Sequence, residues 1–400
     1  MVLADARDDL AVPAPRGACP FAPPPAYEQA RTEAPVKQVR LWDGSPCWLV
    51  TRHEDIRTVL SDPRFSADDS RPGYPFHSAS RKAASDNTPQ TFLRMDDPEH
   101  ARLRRMLTAD FMVRKVETLR PAVQRIADGL LDTMTTGSAP ADLVAQYCLP
   151  LPSLAICRIL GVPYEKHDFF QERSNALVSS TSAPQDVRTA NQELADFLTQ
   201  LADEKRQQPD DGIISTLAGR GELSPEEVSV MGRLLLVAGH ETTANMTALS
   251  VLALLRHPEQ LTLLRGDPAL IPQAVEELLR YVSIVQAGVS RVATQDVVVN
   301  GRLIEAGEGV VCMLNAANHD EDVFVRGGDL DVRRDARHHV AFGFGVHQCL
   351  GQPLARVELQ VAVETLLRRL PGLRLTCSFD DIRFQHDRLV YGIDALPVAW

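Results

Sequence analysis

One helix sets the scale of what this chain can fold into. Ser224-Pro225-Glu226-Glu227 opens it: serine is a good N-cap, proline suits the first helical position, and glutamate at the third closes a capping box. No further proline interrupts the pattern until His257-Pro258 ends it after Arg256. About 31 residues rising about 1.5 Å each make a helix of roughly 46 Å, long enough to cross a whole molecule. Its middle, Leu234-Leu235-Leu236-Val237-Ala238, is apolar on every side and is expected to be buried. Gly239-His240-Glu241-Thr242-Thr243 follows at once. A carboxylate and two hydroxyls in a buried helix cost free energy unless they have partners or a task. Gly239 costs roughly 1 kcal/mol of propensity relative to alanine. The bland account is a threonine bonded back to its own helix and a paired glutamate. The functional account is a local opening of the helix where a ligand or water sits.

The rest of the chain reads as mainly helical with small sheets. Residues 1–20 form an irregular N-terminal segment, rich in proline and alanine up to residue 30, and a short helix follows. Val36–Leu41 and Pro46–Thr51 flank Asp43-Gly44 and predict a hairpin. Arg52–Ser61 reads as a short helix ending at Asp62-Pro63. Residues 66–92 are rich in Ser, Asn and Asp and contain Arg71-Pro72-Gly73-Tyr74-Pro75, which predicts a long loop. From Pro98 to about residue 205 the pattern is almost entirely helical. Strands are expected at Val297–Ile304 and Val310–Leu314, a last helix from about Leu350 to Leu370, and short strands after it. No repeat, low-complexity tract or Gly/Ser linker divides the sequence, so 1–400 reads as a single domain.

Charge and cysteine usage narrow the function. A net charge of -11 argues against a nucleic-acid or membrane-surface binder, since both partners are anionic. No run approaches the roughly 18 apolar residues that cross a bilayer. Met1–Pro20 has no apolar core and does not read as a signal peptide. The seven cysteines are odd in number, widely spaced and without a C-x-x-C, which fits a reducing cytoplasm and mostly inert thiols.

One cysteine stands apart. Phe342-Gly343-Phe344-Gly345-Val346-His347-Gln348-Cys349-Leu350-Gly351 is a glycine-punctuated loop running into a helix. A cysteine at a helix N-terminus meets free N–H groups and the positive end of the dipole, which favour thiolate. Its glycines let the backbone approach something flat and bulky. The plain alternative is a buried thiol beside a turn. A zinc site from His338, His339, His347 and Cys349 has a spacing that fits no common finger. Glu277 and Arg280 stand three apart on one helical face, by default a surface salt bridge of little value. His100 and Arg104 share a face at i,i+4. With Arg291 and His347 they make a cationic set able to neutralise two carboxylates.

In this order the four stretches resemble the cytochrome P450 superfamily, over essentially the whole chain. Phe342, Gly345, His347, Cys349 and Gly351 match its cysteine-loop pattern, F-x-x-G-x-[HR]-x-C-x-G. Ala238, Gly239, Glu241, Thr242 and Thr243 match its oxygen-activating helix, [AG]-G-x-[DE]-T-[TS], and Glu277 and Arg280 its E-x-x-R. Asp331-Val332-Arg333-Arg334 is similar to the family's F-D-x-x-R meander with Leu330 in place of Phe. The stretches Met95–His100, Glu276–Tyr281 and Arg337–Gly351 resemble soluble actinobacterial members. That subgroup hydroxylates macrolides, other polyketides, sterol-like molecules and xenobiotics.

The resemblance implies a P450 fold with haem b between the long central helix and the cysteine-loop helix. Cys349 is then the axial iron ligand, pushing electron density toward O–O cleavage, with Phe342 shielding the sulfur and Ala238 and Gly239 against the cofactor. His100, Arg104, Arg291 and His347 pair with the propionates, and Arg334 closes the Glu277–Arg280 cluster. Glu241 and Thr242 support dioxygen, the co-substrate, and relay protons. Leu93, Leu234, Val237, Ala287, Val289 and Tyr391 line an apolar pocket for an apolar small molecule, covered by residues 66–92 and 165–195. The sequence carries no flavin or iron–sulfur pattern, so a separate ferredoxin and ferredoxin reductase are the expected electron donors. Arg102, Arg105, Arg114, Lys115 and Arg356 are candidates for docking the ferredoxin. The expected enzyme is a monomeric hydroxylase. Alternatives are a hydrogen-peroxide-dependent peroxygenase, disfavoured by the retained Glu241-Thr242, and a non-catalytic haem- or zinc-binding protein.

Overall fold

A computed structural model describes every residue except 1–9, 87–88, 167, 170–171, 174–182 and 387. Its packing falls into two units, each assembled from separated stretches of chain. The first takes residues 1–103, 272–350 and 386–391, the second 104–271, 351–385 and 392–400.

In the first unit the hairpin forms where Asp43-Gly44 places it, with Val36–Arg40 antiparallel to Pro46–Val50 and Gly44 at φ 81°. Pro46–Val50 pairs in parallel with Gly309–Cys312, which pairs antiparallel with Val289–Ala293, and Phe65–Ser66 closes the sheet at that edge. Behind it Ile56 and Val59 of the helix His53–Ser61 pack with Val50, Val310 and Cys312. Each such apolar side chain, fully buried, contributes roughly 1.5–3 kcal/mol. Two expectations are corrected here. Val297–Ile304 is two strands, Val297–Val299 and Arg302–Ile304, folded back on each other. Their turn is Asn300-Gly301, with φ at 47° and 72°, the left-handed pair that a two-residue hairpin requires. The stretch 66–92 is no structureless loop, since Ala79–Asp86 within it is helical. Its polar sequence has no apolar stripe to announce a helix. A Cβ on Gly73 would fall 1.8 Å from the Gly307 carbonyl oxygen, so this stretch lies directly on the neighbouring turn.

The second unit is built on the central helix, Pro225–Arg256. Ser224 Oγ accepts from the Glu227 amide and Glu227 Oε2 accepts from the Ser224 amide, so both arms of the capping box are made. His257 leaves helical geometry at φ -122°, and Pro258 begins the next helix. The helices Pro150–Leu160, Pro184–Gln207 and Gln352–Arg369 pack against it. From Thr243 to Leu254 every residue is buried, including Leu249 and Leu252 at full burial. The preceding turn departs from the expected uniform burial. Leu235 and Leu236 are buried, but Leu234 and Val237 are half-buried and Ala238 is exposed. The expected opening at Gly239 is also absent from the helix itself, which runs unbroken through it.

Candidate active site

The cysteine loop belongs to the first unit. Gly343 and Gly345 hold positive φ, at 70° and 74°. A Cβ on Gly345 would lie 2.2 Å from the Leu60 carbonyl oxygen, so only glycine permits this approach. The loop is closed by backbone bonds: Gln348 N donates to Gly345 O at 3.0 Å and Cys349 N to Phe342 O at 2.9 Å. Cys349 is exposed, whereas Cys47, Cys148, Cys157 and Cys312 are buried thiols that desolvation pushes well above the ordinary range. The helix after the loop begins at Gln352, with Gly351 as its cap residue, two residues later than expected.

His100 and His347 come together in the same unit, their rings 4.1 Å apart. His100 Nδ1 bonds Asp97 Oδ1 at 2.9 Å, a partner that the sequence reading did not single out. His100 is nearly wholly buried, and its Nε2 has no hydrogen-bond partner among the described residues. Arg104 stands one turn along the same helix, Glu99–Thr108. Arg291 lies buried on the strand Val289–Ala293, where it donates to Ser290 O at 2.7 Å. Desolvation lowers the Arg291 pKa.

Glu277 and Arg280 have no exposed side-chain surface, so the surface-bridge account fails. Arg280 Nε and Nη2 form a fork on the carboxylate at 2.7 and 2.8 Å. Its Nη1 donates to the carbonyls of Asn318 and Gly327, and Nη2 also to Asp329. Arg334 Nε and the Asp331 amide reach Glu277 Oε1 at 3.1 and 3.0 Å. The meander and the E-x-x-R helix are thereby locked together.

On the central helix Leu234, Val237, Ala238, Glu241 and Thr242 form one incompletely covered stripe at helical spacing. Thr242 Oγ1 donates to Ala238 O at 2.6 Å. Gly239 points elsewhere: a Cβ there would meet Ile156 at 3.4 Å, ordinary contact. His240 is fully buried, its pKa pushed down to about 4 by desolvation, so it stays neutral. Thr243 is buried against Glu358, whose carboxyl desolvation keeps protonated far above the usual range.

The expected pocket residues divide. Leu93 is exposed and Val289 half-buried, but Ala287 is buried. Tyr391 is wholly buried, with the Arg16 guanidinium 4.0 Å above its ring. Of the cover expected from 165–195, residues 167, 170–171 and 174–182 lie outside the described residues, and the helix Pro184–Gln207 carries its C-terminal part. His339 turns toward Glu276 at 3.3 Å, and His338 offers its carbonyl to His53. Among the described residues no group of three or more His, Cys, Asp or Glu is placed to hold a metal. No described helix is long and apolar enough to cross a membrane.

Comparison with known proteins identifies the family. The family model "Cytochrome P450" matches residues 268–372. Cytochrome P450-SU2 of Streptomyces griseolus is 62% identical over 98% of both chains. The vitamin D3 dihydroxylase of the same species is 45% identical over 96% of this chain and 95% of its own. The crystal structure of cytochrome P450 MoxA from Nonomuraea recticatena superposes with a TM-score of 0.94 at 46% identity, covering 98% of each chain. With its helical fold and small sheets, the chain belongs to the cytochrome P450 family of haem monooxygenases.

Proposed function

We propose that this monooxygenase inserts one oxygen atom of dioxygen into an apolar small molecule, holding haem b through Cys349 and drawing electrons from a separate ferredoxin and its reductase. The observation that carries the reading is the open stripe of the central helix, apolar at Leu234, Val237 and Ala238 and acid–alcohol at Glu241 and Thr242. A relative named for vitamin D3 supports an apolar substrate of small-molecule size. We read 1–400 as one haem domain, because each unit draws on separated stretches of the chain. The seven cysteines are free, which supports a reducing, cytoplasmic setting. Monomeric behaviour is part of the same reading.

The residues fit a haem. As an imidazolium, with Asp97 holding its Nδ1–H, the buried His100 ring has an orphaned Nε2–H for an acceptor such as a propionate carboxylate. Arg291 has five N–H donors, and Arg104 and His347 add further positive or donor groups. Cys349, exposed on a loop that glycine brings close, is the thiolate donor. When bound, the iron supplies the activation of dioxygen. Thr242 Oγ1 places its proton on the Ala238 carbonyl and keeps its lone pairs for an incoming donor. Glu241, half-buried one residue earlier, can pass a proton inward without wetting the apolar stripe. Arg114 and Lys115, exposed on the short helix Val113–Glu117, are assigned to the ferredoxin with Arg105.

The test is a screen of apolar metabolites for spectral shifts, then turnover with ferredoxin and reductase under isotopically labelled dioxygen. One labelled oxygen atom in the product is expected. Label arriving from water, or equal turnover on hydrogen peroxide alone, sinks the reading. The carbon-monoxide band typical of thiolate ligation is expected in the reduced protein and lost in Cys349→Ala, but kept in Cys148→Ala.

A further inference from the structure

We propose that Glu276 and His339 form a positioning pair that seats the cysteine loop, an inference that rests on Cys349 being the haem ligand. The His339 side chain is 2% exposed and that of Glu276 is 11% exposed. His339 Nδ1 accepts the Ala341 amide at 3.1 Å. An imidazole nitrogen that accepts carries no proton, so the ring proton is on Nε2. Nε2 lies 3.3 Å from Glu276 Oε2, an electrostatic contact rather than a well-aligned hydrogen bond. The carboxylate thereby favours the tautomer whose other nitrogen can hold the backbone.

Three links then run from the helix Ile271–Val282 to the cysteine. Glu276 fixes His339, His339 holds the amide of Ala341, and the carbonyl of the following residue, Phe342 O, accepts the Cys349 amide at 2.9 Å. The His339 ring also stands 5.7 Å from the ring of Phe342. A loop with two left-handed glycines has little stiffness of its own, so anchors outside it decide where the thiol lies. The neighbouring carboxylate, Glu277, is already taken up by Arg280 and Arg334. Adjacent acids on one helix therefore serve two segments, the meander and the cysteine loop.

The experiment uses reduced holoprotein under carbon monoxide and follows the thiolate-type band as it converts, in mild urea, to the shorter-wavelength band of protein that has lost the thiolate. His339→Leu should speed that conversion about tenfold, the scale of one lost hydrogen bond. His339→Asn should stay within about twofold of wild type, because its Oδ1 takes the place of Nδ1 and accepts the amide two residues on, as in an Asx-turn. Equal acceleration in the two variants marks a packing role and overturns the pair, as does conversion of His339→Leu at the wild-type rate. If His339→Leu takes up no haem, Glu276→Leu carries the test, and a rate equal to wild type overturns the proposal. A wild-type protein with no thiolate band at all removes the ligand assignment itself, an outcome distinct from failure of the pair.

Discussion

The helix Ile271–Val282 and the central helix each carry a carboxylate where a helix alone has no use for one, and the two surroundings differ. Glu277 is wholly buried, and its oxygens are taken by the Arg280 fork, Arg334 and the Asp331 amide. Glu241 and Thr242 sit half-open, and the threonine hydroxyl is turned back on its own helix. A buried charge without partners costs several kcal/mol, so a satisfied cluster of this kind is architecture. An acid–alcohol pair only half-buried directly after the apolar run Leu234–Ala238 is a local rule broken, and such breaks concentrate at functional sites.

Four substitutions test that contrast on the stability of the holoprotein. Glu277→Ala leaves Arg280 buried without its carboxylate and should cost about 3–5 kcal/mol, with little haem retained. Wild-type unfolding and haem content in that variant would place Glu277 in the same class as the open stripe. Arg334→Ala removes one donor from Glu277, and the bonds to the Val325, Arg326 and Asp329 carbonyls, while the Arg280 fork survives, so chemical denaturation should report a loss of about 1–3 kcal/mol. A change below about 0.5 kcal/mol would show that the meander does not need the cluster. Thr243→Ala takes the hydroxyl from buried Glu358 and should cost roughly 1 kcal/mol, with coupling of electrons to product near wild type. Peroxide production matching that of the Thr242 variant would contradict the assignment. Thr242→Ala should change stability least, within about 0.5 kcal/mol, and leave substrate binding and the carbon-monoxide band intact. Its effect belongs to chemistry: more of the NAD(P)H consumed should end as hydrogen peroxide. Thr242→Ala coupled as tightly as wild type would end the proton-relay role.

How far the sequence could be read depended on whether the signal was local. The capping box at Ser224 and the turn at Asp43-Gly44 are complete within a few residues, and both form as read. Asn300-Gly301 is an equally local signal, lost when the apolar residues on its two sides were joined into one run. The helix Ala79–Asp86 had no apolar periodicity to find. The open face at Ala238 was hidden for a different reason. An apolar pattern says that a side chain avoids water, but it does not say whether protein or a bound molecule shields it. Glu277, Arg280 and Arg334 could be grouped from their motifs, whereas their burial and the carbonyls they reach come from segments far away in sequence. His339 showed only as a neighbour of His338, because its partner is 63 residues earlier on another element.

The adjacency of Glu276 and Glu277 also bears on how this protein can change over time. Neighbouring residues on a helix point about 100° apart, so inserting or deleting one residue between this pair and the rest of the helix swings both carboxylates together. Glu277 would leave Arg280 and Arg334 in the same event that takes Glu276 from His339. A change of length at either end of this twelve-residue helix leaves that spacing alone, whereas one within Glu276–Arg280 breaks both contacts at once.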